Sequence, residues 1–269
     1  GVAENQAQII VCEGNFHGRT TTIVSFSSDP DSNHNFGPYP AGFISIPYND
    51  TAALETALQQ ANVAGFLVEP IQGEAGVYTP NDDFMREARA LCSKYNALFI
   101  ADEVQTGFCR TGKWFGFEHA GIQPDAITMA KGMGNGMPVG ALWARKDIAS
   151  VLQPGDHGST YSGTALATSA VSAVISEMKR LDAATLANKQ GARLREGLLK
   201  LAKVDHVRGS DLLLGAQLVE GVLTADVVPV LLDAGLIVNG VNATTVRFAP
   251  PLTVSNAEIN EALSILATV

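Results

Sequence analysis

Between residues 9 and 144 six short apolar runs alternate with amphipathic or polar segments, and this alternation constrains the fold more than any other feature of the chain. The runs at 9–12, 43–46, 65–68, 97–101, 126–129 and 140–144 have the length and composition of β-strands. Between them, 51–60 places Ala53, Leu54, Ala57 and Leu58 at helical spacing, and 83–95 does the same with Phe84, Ala88, Leu91 and Cys92. Asn49 or Asp50 is the expected N-cap of the first helix, Asn81 or Asp82 that of the second. Strands and helices in this order predict an α/β fold built on a mostly parallel sheet.

After residue 164 the texture changes. One long helical stretch is expected from Thr164 to about Ala202, carrying Leu166, Ala170, Val171, Ile175, Met178, Leu181, Leu186, Leu194, Leu198 and Leu201. Beyond it, 207–218 reads as a strand pair, 225–234 as a helix, and 237–239 and 245–248 as strands. A last helix follows the cap Ser255 and presents Ile259, Leu263 and Ile265. This is a smaller α/β module, so the expected division is 1–180 and 181–269, with the boundary inside the long helix.

Composition narrows the function. A net charge of -9 argues against nucleic acid or an anionic membrane as the main partner, although an anionic substrate needs only a local arginine. Cys12, Cys92 and Cys109 are odd in number and widely spaced, and the five histidines never fall at ligand spacing. Neither a disulfide framework nor a metal site is expected, and a reducing cytoplasm follows. No apolar run has membrane-spanning length, and no secretory leader is expected. The chain opens on Gly1 and a polar stretch, which reads as the continuation of something longer.

Chemistry concentrates where the apolar runs end. Asp102 closes one run and opens Asp102-Glu-Val-Gln-Thr-Gly; Lys131 follows another and opens a glycine-rich turn. Open α/β sheets bind ligands at such strand ends. A Schiff-base lysine with a carboxylate to hold a pyridinium nitrogen is what pyridoxal phosphate chemistry requires; a buried Lys–Asp ion pair, a capping Asp102 or a solvated loop lysine fits the same residues. Glu69 and Glu74 follow the run ending at Val68, as a general acid and base, as surface turn residues, or, the favoured reading because two free acids in one apolar site would repel, as counter-ions for arginines. In Asn15-Phe-His-Gly-Arg-Thr, Phe16 or His17 could stack on a flat ring and Arg19 bind a carboxylate bidentately; a core Phe with a surface Arg is the plainer reading. Arg247 lies mid-strand and needs an anion, structural or substrate. His157-Gly-Ser-Thr-Tyr suits a phosphate, or an ordinary hydroxyl-capped turn.

Together these segments, with Val68-Glu-Pro-Ile-Gln-Gly-Glu-Ala-Gly, Ala130-Lys-Gly and Arg247-Phe-Ala-Pro-Pro-Leu, resemble the class III pyridoxal phosphate aminotransferases of the ornithine and acetylornithine type, nearly end to end. The resemblance implies fold type I, with a cofactor-binding large domain and a small C-terminal domain. It implies that Lys131 forms the Schiff base with pyridoxal 5'-phosphate and shuttles the proton, and that Asp102 pairs with the ring nitrogen. Phe16 and Val104 would sandwich the ring, Gln105 bond its phenolic oxygen, and Ser159 and Thr160 reach the phosphate of a second copy in a homodimer or higher homo-oligomer. Arg247 would bind the α-carboxylate and Arg19 the distal carboxylate, with Glu74 pairing Arg247 when an ω-amino donor is bound.

The implied reaction moves the terminal amino group of ornithine or N-acetylornithine to 2-oxoglutarate. Alternatives are a related ω-amine donor, such as 4-aminobutyrate, acetyllysine or succinylornithine, or a non-catalytic remnant. Three departures from the family pattern stand out: Ser162-Gly-Thr-Ala-Leu, Val207-Arg-Gly-Ser-Asp, and Asn135 in the glycine-rich run. The family also has an N-terminal segment with a phosphate-binding helix start that this sequence does not include, so an altered or truncated form, or a start upstream of Gly1, is expected.

Overall fold

The computed structural model describes residues 2–81 and 83–268. Its first sheet contains β1 (Gln8–Cys12), β2 (Phe43–Ile46), β3 (Val63–Val68), β4 (Leu98–Asp102), β5 (Ala126–Met129) and β6 (Ala141–Ala144), in the order β2-β1-β3-β4-β5-β6. Every pairing is parallel except that of β6 with β5. All six predicted runs are strands. Two one-turn helices, α1 (Thr21–Val24) and α2 (Pro30–Asn33), follow β1, and two of the crossovers use α3 (Thr51–Leu58) and α4 (Phe84–Lys94). Of the cap candidates for α3, Asp50 is the one whose side chain accepts the Ala53 N–H. For α4 the Asn81 amide oxygen accepts the Phe84 N–H at 2.8 Å; Asp82 lies outside the described residues.

The core of this unit is aromatic. Phe66, Phe84 and Phe99 are fully buried and meet edge to face, each contributing roughly 1.5–3 kcal/mol by leaving water. Asp125, at the foot of β5, fixes β5 against β4. Its carboxylate accepts the Phe99 N–H at 2.8 Å and pairs with Arg89 at 2.7 Å and Arg145 at 2.6 Å. The two strands that end at Asp102 and just before Lys131 are thereby held in register from their other ends, Asp102 standing opposite Thr128.

After α5 (Lys146–Ala149) the expected long helix is two, α6 (Ala165–Leu181) and α7 (Ala183–Leu198). Asp182 interrupts it at φ 49°, a left-handed conformation that aspartate tolerates. The apolar spacing carries on across the break, which is why periodicity alone does not reveal it. The second sheet is antiparallel, β7 (Val204–Ser210), β8 (Leu213–Leu218), β10 (Thr245–Phe248) and β9 (Asn239–Asn242), ordered β7-β8-β10-β9. Strand β9 lies later than expected from Ile237, which is 85% exposed; pairing with β10, not hydrophobicity, sets its place. Helices α8 (Thr224–Asp233) and α9 (Asn256–Leu266) complete this part, and its core gathers Leu198, Leu214, Leu231, Val246 and Ile259.

Contacts divide the chain into two compact units. One comprises 1–70, 80–105 and 116–175; the other comprises 71–79, 106–115 and 176–269. Among the described residues no helix is long and apolar enough to cross a membrane.

Candidate active site

In the first unit the candidate groups gather around Phe16. The loop after β1 is held by Asn15, whose side-chain amide donates to the carbonyls of Cys12 at 2.5 Å and Phe26 at 3.3 Å. The buried Glu69 carboxylate accepts the Phe16 N–H at 3.0 Å, and the Tyr48 hydroxyl donates to the Glu69 carbonyl at 3.0 Å. Glu69 therefore fixes the backbone at Phe16. Burial first, then the neighbouring Glu69 charge, keeps the Cys12 thiol well above its ordinary range, so it acts as a neutral group.

Asp102 is buried at the end of β4. One carboxylate oxygen accepts the Val104 N–H at 3.0 Å; the other meets His17 Nδ1 at 2.5 Å. Since an ionised carboxylate only accepts, Nδ1 carries the proton of that bond. The capping reading of Asp102 thus describes a real bond, to the Val104 N–H, and the side-chain partner is His17. His17 Nε2 is buried and has no hydrogen-bond partner among the described residues, and the same holds for the Thr128 hydroxyl. An ionised carboxylate in a closed setting, backed by imidazole, is a ready counterion for a protonated ring nitrogen.

Two cations approach the ring of the half-buried Phe16. Lys131 Nζ stands 6.0 Å from its centroid and the Arg19 guanidinium carbon 5.5 Å. Both residues are exposed. Lys131 opens a short 3-10 turn, Lys131–Met133, at φ 42°, a strained conformation for a non-glycine residue. Of the glycines that follow, Gly134 serves the turn itself: a Cβ there would lie 2.2 Å from the Met137 carbonyl. Val104 and Gln105 are half-buried beyond Asp102, and Ser159 and Thr160 are exposed in the turns between α5 and α6.

The second unit brings its own candidates together. Arg247 of β10 donates to the Glu74 carboxylate at 2.7 Å, with side chains 15% and 31% exposed. This is the counter-ion role anticipated for one of the two acids. Sequence reasoning missed His17 as the partner of Asp102; its position next to Phe16 suggested only a stacking role. Among the described residues no cluster of His, Cys, Asp and Glu could hold a metal.

Comparison with known proteins extends these findings over the whole chain. The family model described as Aminotransferase class-III matches residues 2–269. The mitochondrial ornithine aminotransferase of Rattus norvegicus is 42% identical over 272 residues, covering 99% of this chain and 62% of the relative. The ornithine aminotransferase of Toxoplasma gondii ME49 superposes with a TM-score of 0.95 at 36% identity, covering 99% of this chain and 65% of that one. The acetylornithine aminotransferase of Elizabethkingia anophelis gives 0.85 at 42% identity, covering 100% and 68%. The chain thus spans less than two thirds of the length of the curated relatives it matches first. Its fold is the expected fold type I, an α/β class with a mostly parallel sheet.

Proposed function

The chain belongs to the class-III aminotransferase family, and from that premise we propose that it takes part in moving the terminal amino group of ornithine or N-acetylornithine to 2-oxoglutarate, with pyridoxal phosphate as cofactor. The observation that carries this reading is the cluster at Phe16: its neighbour His17 bonds the buried Asp102, while Lys131 Nζ approaches its ring. The naming of relatives about 40% identical as ornithine aminotransferases supports the donor class.

The residues present fit the cofactor. Asp102 keeps acceptor capacity beyond its bonds to Val104 and His17, since each carboxylate oxygen has two lone pairs. When bound, pyridoxal phosphate supplies an aldehyde for an amine and a ring that accepts electrons. Asp102 would keep the ring nitrogen protonated, with His17 holding the carboxylate in place. Phe16 and Val104 would pack the ring faces, and Gln105 would bond its phenolic oxygen. Lys131 would be the base that lifts and returns the proton at the substrate carbon.

As the resemblance implies, Arg247 would bind an α-carboxylate and Arg19 a distal carboxylate. Glu74 neutralises Arg247 as they stand, which suits a donor bringing an amine there; a dicarboxylate must displace it. Ser159 and Thr160 would serve the phosphate of a second copy. We also take the first unit as the cofactor-binding domain, the second as the small domain, and a reducing cytoplasm as the compartment.

Borohydride reduction after loading with pyridoxal phosphate, followed by peptide mass spectrometry, tests the reading. A pyridoxyl group on Lys131, absent in Lys131→Ala, is expected, together with amino transfer from ornithine or acetylornithine. Loading with no mass added at Lys131 would overturn the enzyme assignment in favour of a non-catalytic remnant. Turnover of another ω-amine alone would overturn the donor.

A further inference from the structure

Arg208 and Arg247 stand in one row of the second sheet. Both pair with Gly215 of β8, Arg208 from β7 and Arg247 from β10, so the three residues lie side by side on one face. Over this row lies the loop 71–79, closed by the mutual backbone bonds of Gln72 and Tyr78 at 3.0 and 3.1 Å. Gly215 makes room for it: a Cβ there would come 2.9 Å from the Val77 side chain and 3.1 Å from the Gly76 carbonyl. Val77 is fully buried beside Ile71 and Leu213.

The two arginines treat the loop differently. Arg247 takes the Glu74 carboxylate. Arg208 takes the backbone two residues on, donating to the Gly76 carbonyl at 2.6 Å while its guanidinium stacks 4.6 Å from the Tyr78 ring. The remaining guanidinium nitrogens reach Thr245 Oγ1 at 2.6 Å, Gln217 Oε1 at 3.1 Å and His206 Nε2 at 3.1 Å. Asn242 adds a bond to the Ala75 carbonyl at 3.0 Å. Gly76 leaves no slack, because at φ 145° a Cβ would meet Asn242 Nδ2 at 2.6 Å and Arg208 Nη2 at 3.1 Å. The segment immediately after Glu74 is therefore clamped by side chains from three strands.

We propose that Arg208 is a positioning residue for Glu74: by fixing the Gly76 carbonyl and the Tyr78 ring it holds the Glu74 carboxylate against Arg247, and so sets how hard a dicarboxylate must compete for that arginine. The inference rests on the substrate role proposed above for Arg247. Lysine cannot replace this guanidinium, since one ammonium cannot reach acceptors spread over a planar fork and also stack on a ring.

The test measures glutarate, a dicarboxylate that carries no amine, by calorimetry on the cofactor-loaded protein. Glu74→Gln should bind it more tightly than the parent by roughly fivefold to tenfold, and Arg208→Lys should do so in the same direction with a smaller effect. In the Glu74→Gln background Arg208→Lys should add nothing, because the group it positions is gone. Amide exchange at residues 75–78 should rise in Arg208→Lys. Thr245→Val, which removes one acceptor of the clamp, should follow Arg208→Lys and serves if that variant misfolds. Parent-like glutarate binding in both clamp variants, with Glu74→Gln still shifted, would overturn the role of Arg208 and leave the substrate reading intact. Equal gains from Arg208→Lys with and without Glu74 would also overturn it. If Glu74→Gln itself changes nothing, the role of the Glu74–Arg247 pair falls, and the inference with it.

Discussion

His17 and Asp102 illustrate how a buried charge is managed at the scale of single residues. Their side chains are 3% and 7% exposed, and their 2.5 Å contact replaces the water that the carboxylate gives up. Removing one partner leaves the other short of a bond, so His17→Phe should lower stability by about 1–3 kcal/mol, measured by denaturant unfolding of the cofactor-free protein. It should also weaken cofactor retention, measured by fluorescence titration, if Asp102 holds the ring nitrogen. A variant that loses stability but keeps the parent affinity for pyridoxal phosphate would make the pair structural only. Asp102 and Lys131 were legible as candidates because each closes or follows an apolar run. The imidazole was not, since nothing in local spacing says that residue 17 meets residue 102.

Helix α9 begins on a capping box. The Ser255 hydroxyl accepts the Glu258 N–H at 3.2 Å, and the Glu258 carboxylate accepts the Ser255 N–H at 2.7 Å. Ser255→Ala should cost about 1 kcal/mol in chemical unfolding. Bonds from the Ser255 backbone and hydroxyl hold the Glu258 carboxyl below its ordinary value of 4.5. A lowered carboxylate stabilises the fold above that ordinary value and loses its contribution as pH falls through the lowered one. Glu258→Gln should accordingly flatten the acid end of the stability curve; an unchanged acid limb would count against the capping box. Gly191 makes the opposite point. It lies inside α7, where alanine is the better helix former, yet a Cβ there would come 2.3 Å from the Asp211 backbone. Packing by a residue twenty positions away decides it.

At the scale of the molecule, the segment from β6 to the start of α6 leaves Leu142, Trp143, Val151, Leu152, Tyr161 and Leu166 exposed, 40% to 82% each. Along the chain these residues flank Ser159 and Thr160. Under the proposal that these two serve a second copy's phosphate, the protein should sediment as a dimer or higher oligomer, and Ser159→Ala with Thr160→Ala should loosen cofactor binding without changing assembly. A monomer with parent-like cofactor affinity would remove the second copy from the site. Strand–helix alternation, the residues at the strand ends and the family were legible along the chain, because these depend on periodicity and on residue types kept close together. Tertiary structure alone decided the break at Asp182, the partner of Asp102, the assignment of 71–79 and 106–115 to the second unit, and the two arginines flanking Gly215. Those depend on which distant backbones pair and on which atoms then lie within bonding distance, and no local spacing encodes either.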